Sequence, residues 1–405
     1  MSRVFLFLSA VASVTFALWV PVGPDGGSAT AIAVSPSQPT TLVAVISSTD
    51  TVLPVYRTTD TGAAWERRGL VPYVVGAVID PFDPMTVYCP DGNDRVFHST
   101  DGGTTWRSAS VSFWTMAVGC DPFVPGRVYL AGVLYDTITI PMFAISTDHG
   151  ATWSEAAVVQ DTGYIYSLDA SPVDSGVIYL GGDYGTVYRS TDAGLTWESR
   201  SAGLSPDNVV LTLSASHGDS GVVCAGTVYG IFRTTDAGTS WAAVGGPSYV
   251  VGVDLSPADS TKGYAYGYDT VAACYSTTDA GATWVRMSVI SSSAVSGGGL
   301  VADPGLGDGA WCPTAAGVMH STDRGATWNA ANTGIRAVTI TTISVPGWAR
   351  ERVYVAVEGV GVHKSSDAGE TWERCADFLS CGNICGIGLA PGTGGDRLYA
   401  FEGAG

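Results

Sequence analysis

The chain has 405 residues and a formal net charge of −18, with 37 acidic against 19 basic side chains and Lys262 and Lys364 as its lysines. That balance repels polyanions and excludes nucleic acid as a partner. Length alone would suggest two or three domains, yet an internal repeat overrides that prior and predicts one continuous domain.

Taken in order, the N-terminus reads Met1-Ser2-Arg3 and then a mostly apolar run from Val4 to Ala17. A short charged start, an apolar stretch and small residues near a cleavage point predict a signal peptide over residues 1–17, and hence a secreted, periplasmic or cell-surface protein. No later stretch is long and apolar enough to span a membrane after that cleavage. The mature chain, 18–405, then repeats a unit of three apolar or alternating runs. The first ends in a turn, as in Ile32-Ala33-Val34-Ser35-Pro36 and Val253-Asp254-Leu255-Ser256-Pro257. The second is apolar, as in Leu42-Val43-Ala44-Val45, and the third alternates, as in Val187-Tyr188-Arg189-Ser190. Each reads as a strand. After the third comes an eight-residue phrase such as Ser190-Thr191-Asp192-Ala193-Gly194-Leu195-Thr196-Trp197, the pattern [ST]-x-D-x-G-x-x-W.

Its aspartates are Asp60, Asp101, Asp148, Asp192, Asp236, Asp279, Asp323 and Asp367, at intervals of 41, 47, 44, 44, 43, 44 and 44 residues. That period fits one four-stranded propeller blade, strands A to D, with the phrase at the C-to-D turn and strand D beginning at the tryptophan. The aspartate is suited to accept backbone hydrogen bonds, the glycine to adopt positive φ, and the tryptophan to pack on a neighbouring sheet. Beyond Trp372 a ninth unit starts, with Gly386 to Ala390 as strand A and Leu398 to Phe401 as strand B, while Leu18 to Gly23 looks like an orphan strand D. The expectation is therefore an all-β, single propeller of eight complete blades plus a partial ninth, closed by the N-terminal strand.

The eight-residue phrase resembles the Asp-box, or BNR repeat, of sialidases, sortilin-type receptors, oligoxyloglucan hydrolases and photosystem II assembly factors. The resemblance implies that the boxes are scaffold at an outer corner, and that ligands meet the D-to-A and B-to-C loops on the opposite end. Those loops carry Tyr73, Phe113, Trp114, Tyr135, Asp136, Asp161, Tyr164, Asp183, Tyr184, Tyr229, Tyr249, Tyr268 and Asp269. Aromatic faces beside carboxylates suit a glycan or an extended polypeptide. We take Tyr73, Trp114, Tyr135, Asp136, Tyr164, Asp183, Tyr184, Tyr268 and Asp269 as candidate ligand-binding residues, on a protein expected to be monomeric.

Sialidase chemistry would need an arginine triad and an N-terminal Phe/Tyr-Arg-Ile-Pro motif, which is absent; an oligoxyloglucan hydrolase would carry Arg-Thr-Asp-Val-Gly-Gly, where this chain has Arg57-Thr58-Thr59-Asp60-Thr61-Gly62. A non-catalytic binding role is therefore expected, without cofactor or metal. Glycoside hydrolysis, with carboxyls such as Asp136 and Asp183, and an assembly-factor role are the alternatives. Most of the eight cysteines lie singly in apolar strands and read as buried thiols. Cys375, Cys381 and Cys385 bracket a loop that a disulfide of unspecified pairing would close.

Overall fold

The computed structural model describes residues 28–47, 52–158, 162–289, 300–314, 317–331, 340–344, 352–357, 361–366, 371–375, 384–392 and 395–402. Its sheets are antiparallel and follow the repeat, each built from consecutive strands in sequence order. In blade 1 these are Ala29–Val34, Leu42–Ile46, Val52–Thr58 and Glu66–Pro72; blades 2 to 7 take their strands from residues 78–110, 114–157, 165–199, 210–245, 249–289 and 301–330. Strand D begins one residue after the tryptophan rather than at it, because the indole itself ends the corner.

Seven blades make the ring. Seven separate clusters of buried apolar side chains fill seven seams, one between each pair of neighbours. The closing seam joins blade 7 to blade 1: Trp311 and Val318 lie with Ile32, Leu42, Tyr56 and Trp65, and Trp311 is fully buried. The expected count of eight blades plus a ninth is thus corrected to seven. An eighth four-stranded sheet, with inner strands Ile340–Ser344 and Val353–Val357, instead stacks on the hairpin Ile384–Gly392 and Gly395–Glu402. Closure by an N-terminal strand is corrected as well, since blade 1 takes all four strands from residues 29–72 and the seam is made by side chains. The segment Leu18 to Gly23 lies outside the described residues.

Each described box in the ring is a small hydrogen-bonded lattice. In blade 4 the Ser190 hydroxyl donates to Asp192 Oδ1 (2.8 Å) and accepts from Gly194 N–H (2.8 Å). Asp192 also accepts from Thr196 N–H (2.8 Å) and from its hydroxyl (2.6 Å). Two successive residues per box are left-handed: the glycine and the residue before it, as in Ala193 (φ 60°) and Gly194 (φ 91°). The glycine answers a second demand too, because a Cβ on Gly194 would lie 2.6 Å from Phe143 Cζ of blade 3. Two of the tryptophans tie seams in the same direction, Trp65 Nε1 donating to Ala331 O (2.7 Å) and Trp241 Nε1 to Arg200 O (2.7 Å), whereas Trp106 and Trp284 donate to the glycine carbonyls of their own boxes. The corner is therefore both a turn and an inter-blade clasp.

The innermost strands share a β-bulge at one height. Register skips Thr30, Met116, Tyr166, Leu211 and Val251 in blades 1, 3, 4, 5 and 6. Such bulges bend a strand and re-aim a side chain beside a channel. Cys89, Cys224, Cys274 and Cys312 are buried free thiols as expected, and Cys375 is also free; Cys381 lies outside the described residues, as does the side chain of Cys385. Among the described residues no helix is long and apolar enough to cross a membrane.

Candidate functional site

The two ends of the ring differ in chemistry. The box end is committed to structure. Hydrogen bonds from the Thr152 side chain and backbone and from Ser146 hold Asp148 down at about 2, and Ser240 and Thr234 do the same for Asp236. Carboxylates so occupied, repeated around a rim, cannot converge on one substrate. Toward this end the axial channel holds a cavity of about 470 Å³, lined by innermost strands of all seven blades and including Asp169, Ser214 and Asp254. Both carboxyls are clasps between blades: Asp169 accepts from Ala215 N–H (2.6 Å), and Asp254 accepts from Ala302 N–H (2.8 Å) and Ser214 Oγ (3.3 Å). Burial pushes Asp169 up to about 7, with the nearby Asp254 adding to it, and pushes Asp254 up to about 6.

The D-to-A and B-to-C end carries most of the exposed aromatic rings, Phe82 and Phe123 being exposed at A-to-B turns of the other end. Among the described residues, all six exposed tyrosines and tryptophans, Tyr73, Trp114, Tyr135, Tyr184, Tyr229 and Tyr249, lie on the D-to-A and B-to-C end. On blade 3 the rings of Trp114 and Tyr135 stack, with centroids 5.7 Å apart and planes 6° from parallel. Glu155 on the outer strand accepts from the N–H and hydroxyl of Ser112, which fixes the loop bearing Trp114. Asp136 is exposed in the turn beyond Tyr135. Phe113, by contrast, is 1% exposed and belongs to the seam between blades 2 and 3, so this loop residue is core.

Blade 4 gathers the densest group. Tyr164 stacks on Tyr166 (5.9 Å, 10°), and Asp183 accepts from Tyr164 N–H (3.1 Å). Burial and then the Asp183 carboxylate, to which its hydroxyl donates, raise Tyr166 above the ordinary tyrosine range. Tyr184 is left-handed (φ 58°, ψ 27°), and every other non-glycine residue with positive φ among those described sits inside an Asp-box. The strain is held from both sides: Gly185 N–H donates to Asn208 O (2.7 Å), and Gly163 leaves room for the Tyr184 ring. Strain of this kind costs about 1–2 kcal/mol and concentrates at ligand clamps and switch regions.

On blade 6 Tyr268 meets Tyr249 and Tyr266 edge-on (6.4 and 5.6 Å). Asp269 accepts from Tyr275 OH (2.6 Å) and Ser248 N–H (2.8 Å), which keep its carboxyl below the usual range. The structure thus brings Trp114 to Tyr135, Tyr164 to Asp183 and Tyr184, and Tyr249 to Tyr268 and Asp269. Tyr73 and Tyr229 have no ring partner among the described residues, and Asp161 lies outside them. Tyr166, Tyr266 and Glu155 escape a reading based on loops, because all three lie in strands. Among the described residues no group of three or more His, Cys, Asp or Glu comes together to hold a metal.

Comparison with known proteins adds the following. The family described as BNR/Asp-box repeat matches residues 144–155, the box of blade 3. No curated protein sequence matches the chain. Among solved structures it is similar to an ancestral GH74 enzyme, with 15% identity and a TM-score of 0.70 over 96% of this chain and 60% of that one. It is also similar to the GH74 xyloglucanase from Xanthomonas campestris, with 16% identity and a TM-score of 0.63 over 88% of this chain and 68% of that one. YCF48 bound to D1 peptide matches at 15% identity and a TM-score of 0.54, covering 74% of this chain and 95% of the other. At such identities the likeness shows a shared fold, and the chain spans three fifths of the ancestral GH74 enzyme's length.

Proposed function

This chain is a seven-bladed β-propeller built on Asp-box repeats, and from that premise we propose that it binds an extended polymer, glycan or polypeptide, across the face opposite the boxes. The observation that carries the reading is the gathering of all six exposed tyrosines and tryptophans on that face, against two exposed phenylalanines, Phe82 and Phe123, at separate turns of the other end. Exposed aromatic side chains in water mark interaction surfaces when they cluster. Rings stack on apolar sugar faces or on extended side chains, while Asp136, Asp183 and Asp269 beside them accept hydroxyl or amine hydrogen bonds. The strained turn at Tyr184 supports the same reading, since it fixes a ring outward at a conformational cost that packing alone does not require. We also infer export from the leader-like residues 1–17, which would present this face to extracellular polymers.

The test is a glycan and peptide array probed with the full chain, repeated with Trp114→Ala and Tyr184→Ala. Saturable binding that both substitutions weaken supports the proposal; binding indifferent to both overturns it. Glycoside hydrolysis is the second reading, favoured by the fold shared with the GH74 enzymes. It requires two carboxyls flanking the scissile bond, and Asp136 and Asp183 are the candidates on this face. Turnover of a xyloglucan oligosaccharide or a fluorogenic sialoside, abolished by Asp136→Asn or Asp183→Asn, would establish it.

A further inference from the structure

Acidic side chains occur at both ends of the ring, but the basic ones that could offset them are gathered at the box end. Of the twelve Lys and Arg residues between positions 28 and 331, eleven lie in or beside an Asp-box, at an A-to-B turn or near the outer strands that follow the boxes. Arg200 is typical, its guanidinium donating to Thr239 of the next box (2.9 Å). The twelfth, Arg95, opens a B-to-C connection on the aromatic end, where it pairs with Asp91 (3.3 Å) and Asp94 (3.9 Å). On that same end Asp94, Asp136, Asp207 and Asp269 are exposed and Asp183 is half-buried. The aromatic face therefore presents carboxylates on blades 2, 3, 4 and 6 and on the loop between blades 4 and 5, with one cation among the described residues, already paired.

From this complementarity we infer that the occupant of the face is a cationic stretch of extended polypeptide carrying lysine or arginine, an inference that rests on the polymer-binding reading above. An anionic chain would meet like charge on blades 2, 3, 4 and 6, and unlike-sign pairing is what draws partners together and rejects wrong ones. Rings between the carboxylates suit the same ligand: the aliphatic stems of lysine and arginine lie along apolar surface, and their cationic heads are attracted to aromatic faces. The carboxylates are unevenly placed, some on loops of adjacent blades and Asp269 two blades beyond Asp183. Long flexible side chains bridge uneven gaps; an amino-sugar polymer repeats its amine at a fixed interval and matches such a pattern poorly.

The experiment titrates the full chain with a fluorescent peptide of alternating lysine and serine, its acetyl-lysine counterpart and a chitosan oligosaccharide. The lysine peptide should bind, more weakly as salt rises, and acetylation should weaken it at least about tenfold. Neutralising two exposed carboxylates of the face, Asp136→Asn with Asp207→Asn, should cost about fivefold, the size expected for two surface ion pairs. Neutralising Asp174 and Asp219, at A-to-B turns of the opposite end, changes the net charge equally and should leave affinity alone. Equal losses from both double variants, equal binding of the acetylated peptide, or tighter binding of the chitosan oligosaccharide would overturn the inference. Were a neutral glycan to bind in a Trp114-dependent way while the lysine peptide did not, this inference would fall and the polymer-binding reading would stand. If no probe depended on Trp114 or Tyr184, both would fall.

Discussion

Replacing Gly194 with alanine separates the two demands placed on the box glycine. Its φ of 91° lies where a Cβ is strained, a cost of about 1–2 kcal/mol for an L-residue. The added Cβ would also stand 2.6 Å from Phe143 Cζ, a side chain 2% exposed in the core between blades 3 and 4. Forcing a methyl into a packed core costs about 1–3 kcal/mol more. The sum is about 2–5 kcal/mol, read as a lowered midpoint in urea at unchanged slope. Gly245 provides the reference: its φ is 89°, and nothing lies within 4 Å of the Cβ it would gain, so Gly245→Ala should show the backbone cost alone. If Gly194→Ala proves no worse than Gly245→Ala, the box glycine is only a turn residue and the clasp between blades is refuted.

Other consequences follow from the same contacts. Trp311→Ala empties the closing seam and removes a side chain that packs on Gly62 and donates to Asp303 (3.2 Å); a loss of about 3–5 kcal/mol is expected, measured by urea unfolding. Tyr184→Gly should relieve left-handed strain and raise stability by about 1 kcal/mol while weakening ligand binding; a destabilised variant would show that the turn is not strained. Asp169 titrates at about 7 when folded and near its ordinary low value when unfolded, so the folded state holds the extra proton between and stability falls as pH rises toward 7. Asp169→Asn keeps an oxygen for Ala215 N–H, and at pH 8 should gain about 2–4 kcal/mol, with little change near pH 4. Box carboxylates such as Asp148 act in the opposite sense: their contribution is complete above the unfolded value and is lost as pH falls toward 2, so thermal melts should peak in mildly acidic buffer.

Much of this was legible because the repeat is in phase. The spacing of Asp60 through Asp323 located every corner of the ring, and the alternation before each box located strand C. Ring closure was not legible, since Ser365 to Trp372 reads like any other box. What selects seven is a packing fact, Trp311 beneath Gly62 and beside Trp65, and Trp311 looks in sequence like any strand B residue. Tyr166 was missed for a related reason. It lies in a strand, where alternation assigns it to a seam, and the skipped register at Ile165/Ser167 places it instead beside Asp183. The phrase Tyr164-Ile165-Tyr166 was the available signal. Glu155 gave none, because its partner Ser112 is 43 residues away.

The central claim, that the boxes are scaffold and recognition occurs on the opposite end, is tested most directly by hydrogen exchange of the full chain with and without a bound polymer. Protection should appear locally around Trp114 and Tyr135, around Tyr164 and Tyr184, and around Tyr249 and Tyr268-Asp269, with the box segments and the A-to-B strand ends unchanged. Protection confined to the boxes, or to the strand ends around Asp169 and Asp254 at the cavity, would contradict it.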